Sequence, residues 1–406
     1  MTATNGNYLN KFRWSLPWLV RYPFVRARAF AERAAFEKKH VIITVANHFE
    51  PGWSENGILD HKTQLKRMKE YHSLARSIGE AVRDADGTKF RHTNFYPAEQ
   101  YDAEILDIMA EMQSEGLGEV EVHMHHEADG PDTAENTRRV IETFRDTIAD
   151  RHRCLSRMEG SERPMYAFVH GNLALANSCG GRYCGVDNEM QILHETGCYA
   201  DLTLPSAPDE SQVPVLNQIY QCALPLDQAA PHRKGIRASV GGNTPLLPLI
   251  FTGPLVLYWY RWNAGLPLPR IDDGALAANQ PLDLNRFRRW LSANVTVAGK
   301  SDWIFVKLYC HGFFDHDQQT SIGEEAKRFF DALVEDSVRK GNYKVHFATA
   351  REAFNMASAA VEGCAGEPGE YRDHKLRPIM TGRALTKAMS LAWLSFDVLI
   401  DLSMFA

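Results

Sequence analysis

Residues 118–131 read Gly118-Glu119-Val120-Glu121-Val122-His123-Met124-His125-His126-Glu127-Ala128-Asp129-Gly130-Pro131. Val120 and Val122 alternate with polar positions, which is the period of a half-buried strand, and Gly130-Pro131 ends the segment. The imidazoles therefore fall at the C-terminal end of a strand. His123 and His125, two apart, project from one face, where neutral ring nitrogens could approach one divalent cation at ~2.0–2.1 Å. Three histidines in four positions exceed what a solvated loop needs, so residues 123–126 read as a metal or catalytic cluster.

Working outward, the same construction recurs. The apolar run His40-Val41-Ile42-Ile43-Thr44-Val45-Ala46-Asn47 is a buried strand that empties into His48-Phe49-Glu50-Pro51-Gly52-Trp53. Met165 to Val169 deliver His170, Gly171 and Asn172; Gly171 permits close backbone approach, and Asn172 could orient a substrate. Cys198 to Pro205 read as a strand carrying Asp201, and Trp303 to Cys310 as one ending at His311. Helical spacing predicts helices over about 60–85, 99–115, 133–152, 187–195 and 323–339, and strands at 93–97 and 343–350, with His346 packed inside the latter. Alternating strands and helices predict parallel β/α construction. Four strand ends that carry histidine predict a convergent site.

Residues 205–300 are less legible. The stretch from Leu246 to Tyr260 is apolar but interrupted by Pro248, Gly253 and Pro254, so it reads as a buried strand plus loop and not as a membrane span. Residues 285–292 read as a helix with Arg286, Arg288 and Arg289 on a solvated face.

The composition is that of a globular protein, with 44% hydrophobic and 24% charged residues among 406. A net charge of −6 argues against a surface built to grip nucleic acid. Seven irregularly spaced cysteines suit free thiols in a reducing compartment, with Cys179 and Cys184 as structural thiols, and no cleavable signal is evident, so the expected location is cytoplasmic. Residues 1–38 form a basic-aromatic arm in which Lys11, Arg13, Arg21, Arg26 and Arg28 alternate with Trp14, Trp18, Tyr22 and Phe24. Such an arm either lies in an anionic membrane surface, peripheral on the inner face, or packs its tryptophans on the body. Residues 362–406 form a C-terminal extension whose apolar helix, Leu385 to Phe405, holds Asp397 and Asp401 and so is expected to dock or lie on a surface.

The order of these strand-end motifs over residues 38–355 resembles the polysaccharide deacetylase (NodB-homology) superfamily. Glu121-Val122-His123 through His126 is similar to its histidine metal motif, and Val306-Lys307-Leu308-Tyr309-Cys310-His311 to its late motif. The family carries two adjacent aspartates after the first strand, where this chain has Ala46-Asn47. The run from His48 to Trp53 instead resembles the His-x-Asp-Pro-Gly-Trp-like segment of metal-dependent α-mannosidases in the wider superfamily. The resemblance implies an irregular seven-stranded (β/α) barrel over residues 39–361 and a metal-dependent carbohydrate N-deacetylase acting on a glycan or sugar-lipid. It implies a divalent metal, zinc, held by His48, His123, His125 and His126, with Glu50 as ligand or general base and His311 as proton donor. Asn47, Trp53, His170, Asn172 and Asp201 would bind the sugar. The alternatives are a metal-dependent glycosidase, whose carboxylate pair would be Glu50 and Asp201, and a catalytically decayed glycan-binding protein.

Overall fold

The computed structural model describes residues 8–33, 38–126, 131–261 and 267–380. Fourteen strands are described: β1 Lys39–His48, β2 His92–Pro97, β3 Gly118–Met124, β4 Ser156–Met158, β5 Pro164–His170, β6 Cys198–Asp201, β7 Gln218–Cys222, β8 Gly235–Arg237, β9 Leu249–Thr252, β10 Val256–Arg261, β11 Pro267–Asp272, β12 Trp303–Cys310, β13 Tyr343–Phe347 and β14 Leu376–Pro378. Ten helices accompany them: α1 Tyr8–Leu19, α2 Tyr22–Ala31, α3 His61–Ala81, α4 Ala103–Ser114, α5 Ala134–Asp150, α6 Glu189–Thr196, α7 Leu284–Ala293, α8 Gln318–Ser321, α9 Glu324–Lys340 and α10 Ala350–Val361. The result is a mixed α/β architecture.

Twelve strands form one sheet in the order β12-β1-β2-β3-β5-β6-β9-β7-β8, with β13 on β1 and β4 joining β5 to β14. From β12 to β9 the pairing is parallel, and β7 and β8 then run antiparallel. Alternation gives β1 two apolar faces. Val41, Ile43 and Val45 pack with Met68, Tyr71 and Ala75 of α3. Ile42 and Ala46 meet Phe305 of β12, Val169 of β5 and Ala357 of α10 in a second cluster. The helices start where capping residues allow: Asp60 accepts from Thr63 N at the head of α3, and a reciprocal capping box of Thr349 and Glu352 opens α10.

A closed seven-stranded barrel is not what the hydrogen bonding forms, since among the described residues no sheet is closed. The gap between β12 and β8 is met through residues 295–298, by Phe305 N to Val295 O at 2.8 Å and by an isolated bridge in which Ala298 donates to Ala238 O at 2.9 Å and accepts from Val240 N at 2.8 Å, and not by a ladder. The cause is local. Residues 205–300 hold eleven of the nineteen prolines, each without the N–H that a ladder requires. The apolar stretch at 246–260 resolves accordingly into short β9 and the start of the β10–β11 hairpin. Among the described residues no helix is long and apolar enough to cross a membrane.

For the exterior, one expectation is corrected and one of two alternatives is met. Arg286 is not on a solvated face: it is 1% exposed and its Nε lies 3.2 Å from the buried carboxylate of Asp272, which also accepts from Trp290 Nε1. In the arm, Trp18 follows the second alternative and packs on the body, fully buried against Ala207, Leu216 and Leu255, and Tyr22 Oη accepts from Leu257 N at 2.8 Å. Glu32 further ties the arm to Arg237. The apolar C-terminal helix expected at 385–405, like Glu127, lies outside the described residues.

Candidate functional site

The C-terminal ends of neighbouring parallel strands bring the motifs together. Strand β2 lies between β1 and β3, with His48 opposite Phe95 and Pro97 opposite His123, and β12 flanks β1 with Cys310 opposite Asn47. His48 and His123 thus rise on either side of β2, and His311 stands beside His48 with ring centroids 4.5 Å apart. Glu50 follows β1 in a loop held by Arg67 of α3, which donates to Pro51 O at 3.0 Å and Trp53 O at 2.7 Å and also reaches Phe313 O. One guanidinium therefore fastens the loops after β1 and β12 to each other.

Donor atoms of His48, Glu50 and His123 lie within 4.8 Å of one another, all three residues buried. Their chemistry fits a divalent ion. His123 Nδ1 donates to Val169 O at 2.9 Å, which fixes that proton and turns the Nε2 lone pair toward Glu50 Oε1, 3.1 Å away. A lone pair facing a carboxylate at that distance calls for a shared cation, whether proton or metal. Two histidines and one carboxylate leave a fourth tetrahedral position open, as in catalytic zinc sites.

His125 stands beside the triad and not in it. Its Nε2 lies 3.3 Å from Glu50 Oε1 and its Nδ1 donates to Glu99 Oε1 at 2.6 Å. Burial works against a charged ring there, but the two carboxylates outweigh it and push the His125 pKa up to about 10. Burial also opposes ionisation of Glu50, yet bonds from His123 and His125 hold it well below the usual carboxylate range. Burial, reinforced by neighbouring imidazoles, keeps His48 neutral, the form that ligates a metal. His311 is lowered by burial too, against the pull of Glu50. Gly171 explains how His125 fits: a Cβ there would come within 2.4 Å of the His125 ring.

Glu50 and His125 open onto a cleft of about 570 Å³ lined also by Trp53, Gln64, Glu99 and Tyr101. Trp53 lies against Phe314 at 3.9 Å between centroids, and Phe314 stacks on His311 at 4.4 Å. A continuous aromatic wall thus runs from the cleft to the late-motif histidine.

The remaining expected site residues fall elsewhere. His126 does not join His48 and His123: strand β3 ends at Met124, and His126, past that end, belongs to a second, fully buried group with His170, Cys184 and Glu189. His170, expected against sugar, is wholly enclosed in that group, and Asn172 Oδ1 accepts from His126 N at 3.1 Å. Asn47, at the position of the family's aspartate pair, is fully buried; its amide donates to Tyr71 Oη and Asn94 Oδ1 and accepts from Gly312 N, a splice between β1, β2 and the loop after β12. Asp201 has no exposed surface, and its carboxylate accepts from Thr203 N and Oγ1. Cleft residues Glu99 and Tyr101 were absent from the sequence-based set. They follow β2, so reading the strand end at Pro97 as the histidine strands were read would have found them. No protein-family profile matches the sequence, and no curated protein matches it.

Proposed function

We propose that this chain is a metal-dependent hydrolase of the polysaccharide deacetylase type, acting on an N-acetylated glycan or sugar-lipid. One observation carries the reading: a buried His48–Glu50–His123 donor set that meets a polar, aromatic-walled cleft through Glu50. His48, Glu50 and His123 would hold the ion, and a zinc-like ion supplies Lewis acidity there, polarising an amide carbonyl and acidifying water. Trp53 and Tyr101 offer ring faces to a sugar while Gln64 and Glu99 offer hydrogen-bond partners to its hydroxyls. The charged His125, wedged between Glu50 and Glu99, stabilises negative charge that develops at the cleft floor. His311, half-buried at the end of the aromatic wall, exchanges a proton with the leaving amine.

The test is acetate release from N-acetylated oligosaccharides by zinc-loaded protein, with loss in Glu50→Gln and His123→Ala at unchanged folding. Stoichiometric metal without acetate release from soluble or lipid-linked acceptors would overturn the deacetylase assignment. A glycosidase is the second reading, favoured by one feature: Glu50 and Glu99 share His125 in one cleft and form a carboxylate pair there, unlike Glu50 and Asp201. Release of reducing sugar in place of acetate would select it. Neither product, with sugar binding retained, would select a glycan-binding protein.

A peripheral position on an anionic membrane belongs to the same reading. Phe12, Leu16, Val20 and Phe24 recur every four residues and are exposed, as are Lys11, Arg13 and Arg21, while residues 1–31 contain no acid. Apolar side chains among cations, in a segment that holds no acid of its own, suit the headgroup region of anionic lipid. Co-sedimentation with phosphatidylserine vesicles is expected for the full chain and lost in Phe12→Ser/Leu16→Ser/Phe24→Ser; equal binding by the variant excludes this face.

A further inference from the structure

The second buried cluster joins segments that the cleft does not use. His126 lies just past β3, His170 ends β5, Cys184 sits in the loop that follows and Glu189 opens α6. One donor atom from each of the four lies within 4.8 Å of the others. His126 Nε2 is 3.1 Å and His170 Nε2 3.8 Å from Glu189 Oε1, and Cys184 Sγ is 3.6 Å from Glu189 Oε2. The His126 and His170 rings stack at 5.0 Å.

Three features distinguish this group from an ordinary buried salt bridge. First, His170 Nε2 is fully buried, aims into the cluster and has no hydrogen-bond partner, which is a costly state for a ring nitrogen. Second, His126 has the outer-shell carboxylate that fixes metal-binding histidines: its Nδ1 donates to Asp132 Oδ2 at 2.7 Å, leaving Nε2 for the cluster. Third, the charges balance. One thiolate and one carboxylate neutralise a divalent ion, so a group with no solvent exposure at Cys184, His170 or Glu189 would hold no net charge.

We propose that His126, His170, Cys184 and Glu189 form a second, structural site for a zinc-class divalent ion, separate from the cleft. Four protein donors of mixed nitrogen, sulfur and oxygen type close the coordination shell, whereas the three donors at the cleft leave it open. Its role follows from what it joins. The segment 171–188 carries Leu173, Ala176, Asn177 and Tyr183 in left-handed backbone conformations, and the ion would tie both ends of that strained loop to β3. Loading has one requirement. Asn172 N–H lies 3.2 Å from His170 Nδ1, so that nitrogen must take up the ring proton and the peptide must turn away.

The test uses the intact chain loaded with cobalt(II) in place of zinc. A thiolate-to-cobalt charge-transfer absorption in the near ultraviolet is expected, lost in Cys184→Ser and retained in His48→Ala/His123→Ala. Zinc content should fall by one equivalent per chain in each of these variants, so failure of the cleft assignment leaves the thiolate band untouched. If Cys184→Ser does not fold, the unmodified chain still reports: zinc should slow alkylation of Cys184 at least tenfold relative to chelator-treated protein. No band in the cobalt-loaded chain, a band that survives Cys184→Ser, or alkylation rates indifferent to zinc would overturn the site and leave a metal-free His126–Glu189 pair.

Discussion

Asp201 offers a perturbation whose sign is fixed by burial. Its carboxyl has no solvent exposure; Oδ2 bonds to Thr203 Oγ1 at 2.7 Å and Oδ1 accepts from Thr203 N at 3.3 Å. Burial pushes its pKa from the usual 3.8 to about 7, and the Thr203 bonds and the Lys307 ammonium recover only part of that. Between those values the unfolded chain has lost a proton that the folded chain keeps, so stability falls as pH rises from about 4 to 7 and stays reduced above. Roughly three pH units at about 1.36 kcal/mol each set an upper limit of about 4 kcal/mol. Asp201→Asn keeps the shape and bonding of the protonated acid and removes the ionisation. The variant should match the parent near pH 4 and exceed it progressively to pH 7, read as the difference between urea midpoints at each pH. Lys307 supplies the opposite slope. Burial pulls it down to about 8 against the attraction of Asp201 and Asp273, so its penalty is present below pH 8 and disappears as pH rises toward 10.5. Running the series again on a Lys307→Met background separates the two groups. A difference between Asp201→Asn and parent that is the same at every pH would refute the reasoning, because the carboxyl would then ionise alike in both states.

Gly171→Ala should cost about 1–3 kcal/mol in urea unfolding and weaken zinc binding at the cleft, since the new methyl would overlap the His125 ring; unchanged zinc affinity would show that His125 is not positioned by this contact. Thr349→Ala removes the N-cap of α10 together with a bond to Glu119 Oε2, and a loss of about 1–2 kcal/mol is expected by thermal or urea denaturation. Trp53→Ala should leave stability within about 0.5 kcal/mol but, on the proposed function, lower chitooligosaccharide affinity about tenfold in calorimetric titration, the value of one aromatic contact; equal affinity would remove Trp53 from the proposed sugar contact.

How much of this was legible follows from where each signal resides. Strands β1, β3, β5 and β12 announced themselves because each is apolar or alternating and stops at a polar end, and all four histidine-bearing ends do lie on the parallel part of one sheet. The region between β6 and β12 did not, because its short strands are defined by partners distant in sequence and its prolines erase period. Arg286 shows the same limit: alternate charges on α7 suggest a wet face, and only the tertiary arrival of Asp272 from β11 reveals a buried pair.

The histidine cluster was the sharpest signal and also the one most in need of coordinates. His123 and His126 are three residues apart, a spacing that in a helix would put both on one face and in a continuous strand on opposite faces. Neither geometry applies, because β3 ends at Met124. His123 is still governed by the pleat and shares its inward row with Glu121, which meets Tyr199, and Glu119, which meets Arg351. His125 continues that row to the cleft, where Glu99 from the neighbouring strand end receives it. His126 lies beyond the strand, where Asn172 Oδ1 accepts from its N–H and Asp132 Oδ2 from its Nδ1, and its ring stacks on His170 at the end of β5. One strand terminus can therefore serve two groups of different character, one open to a cleft and one closed, with the boundary between them falling between His125 and His126, just past the end of β3.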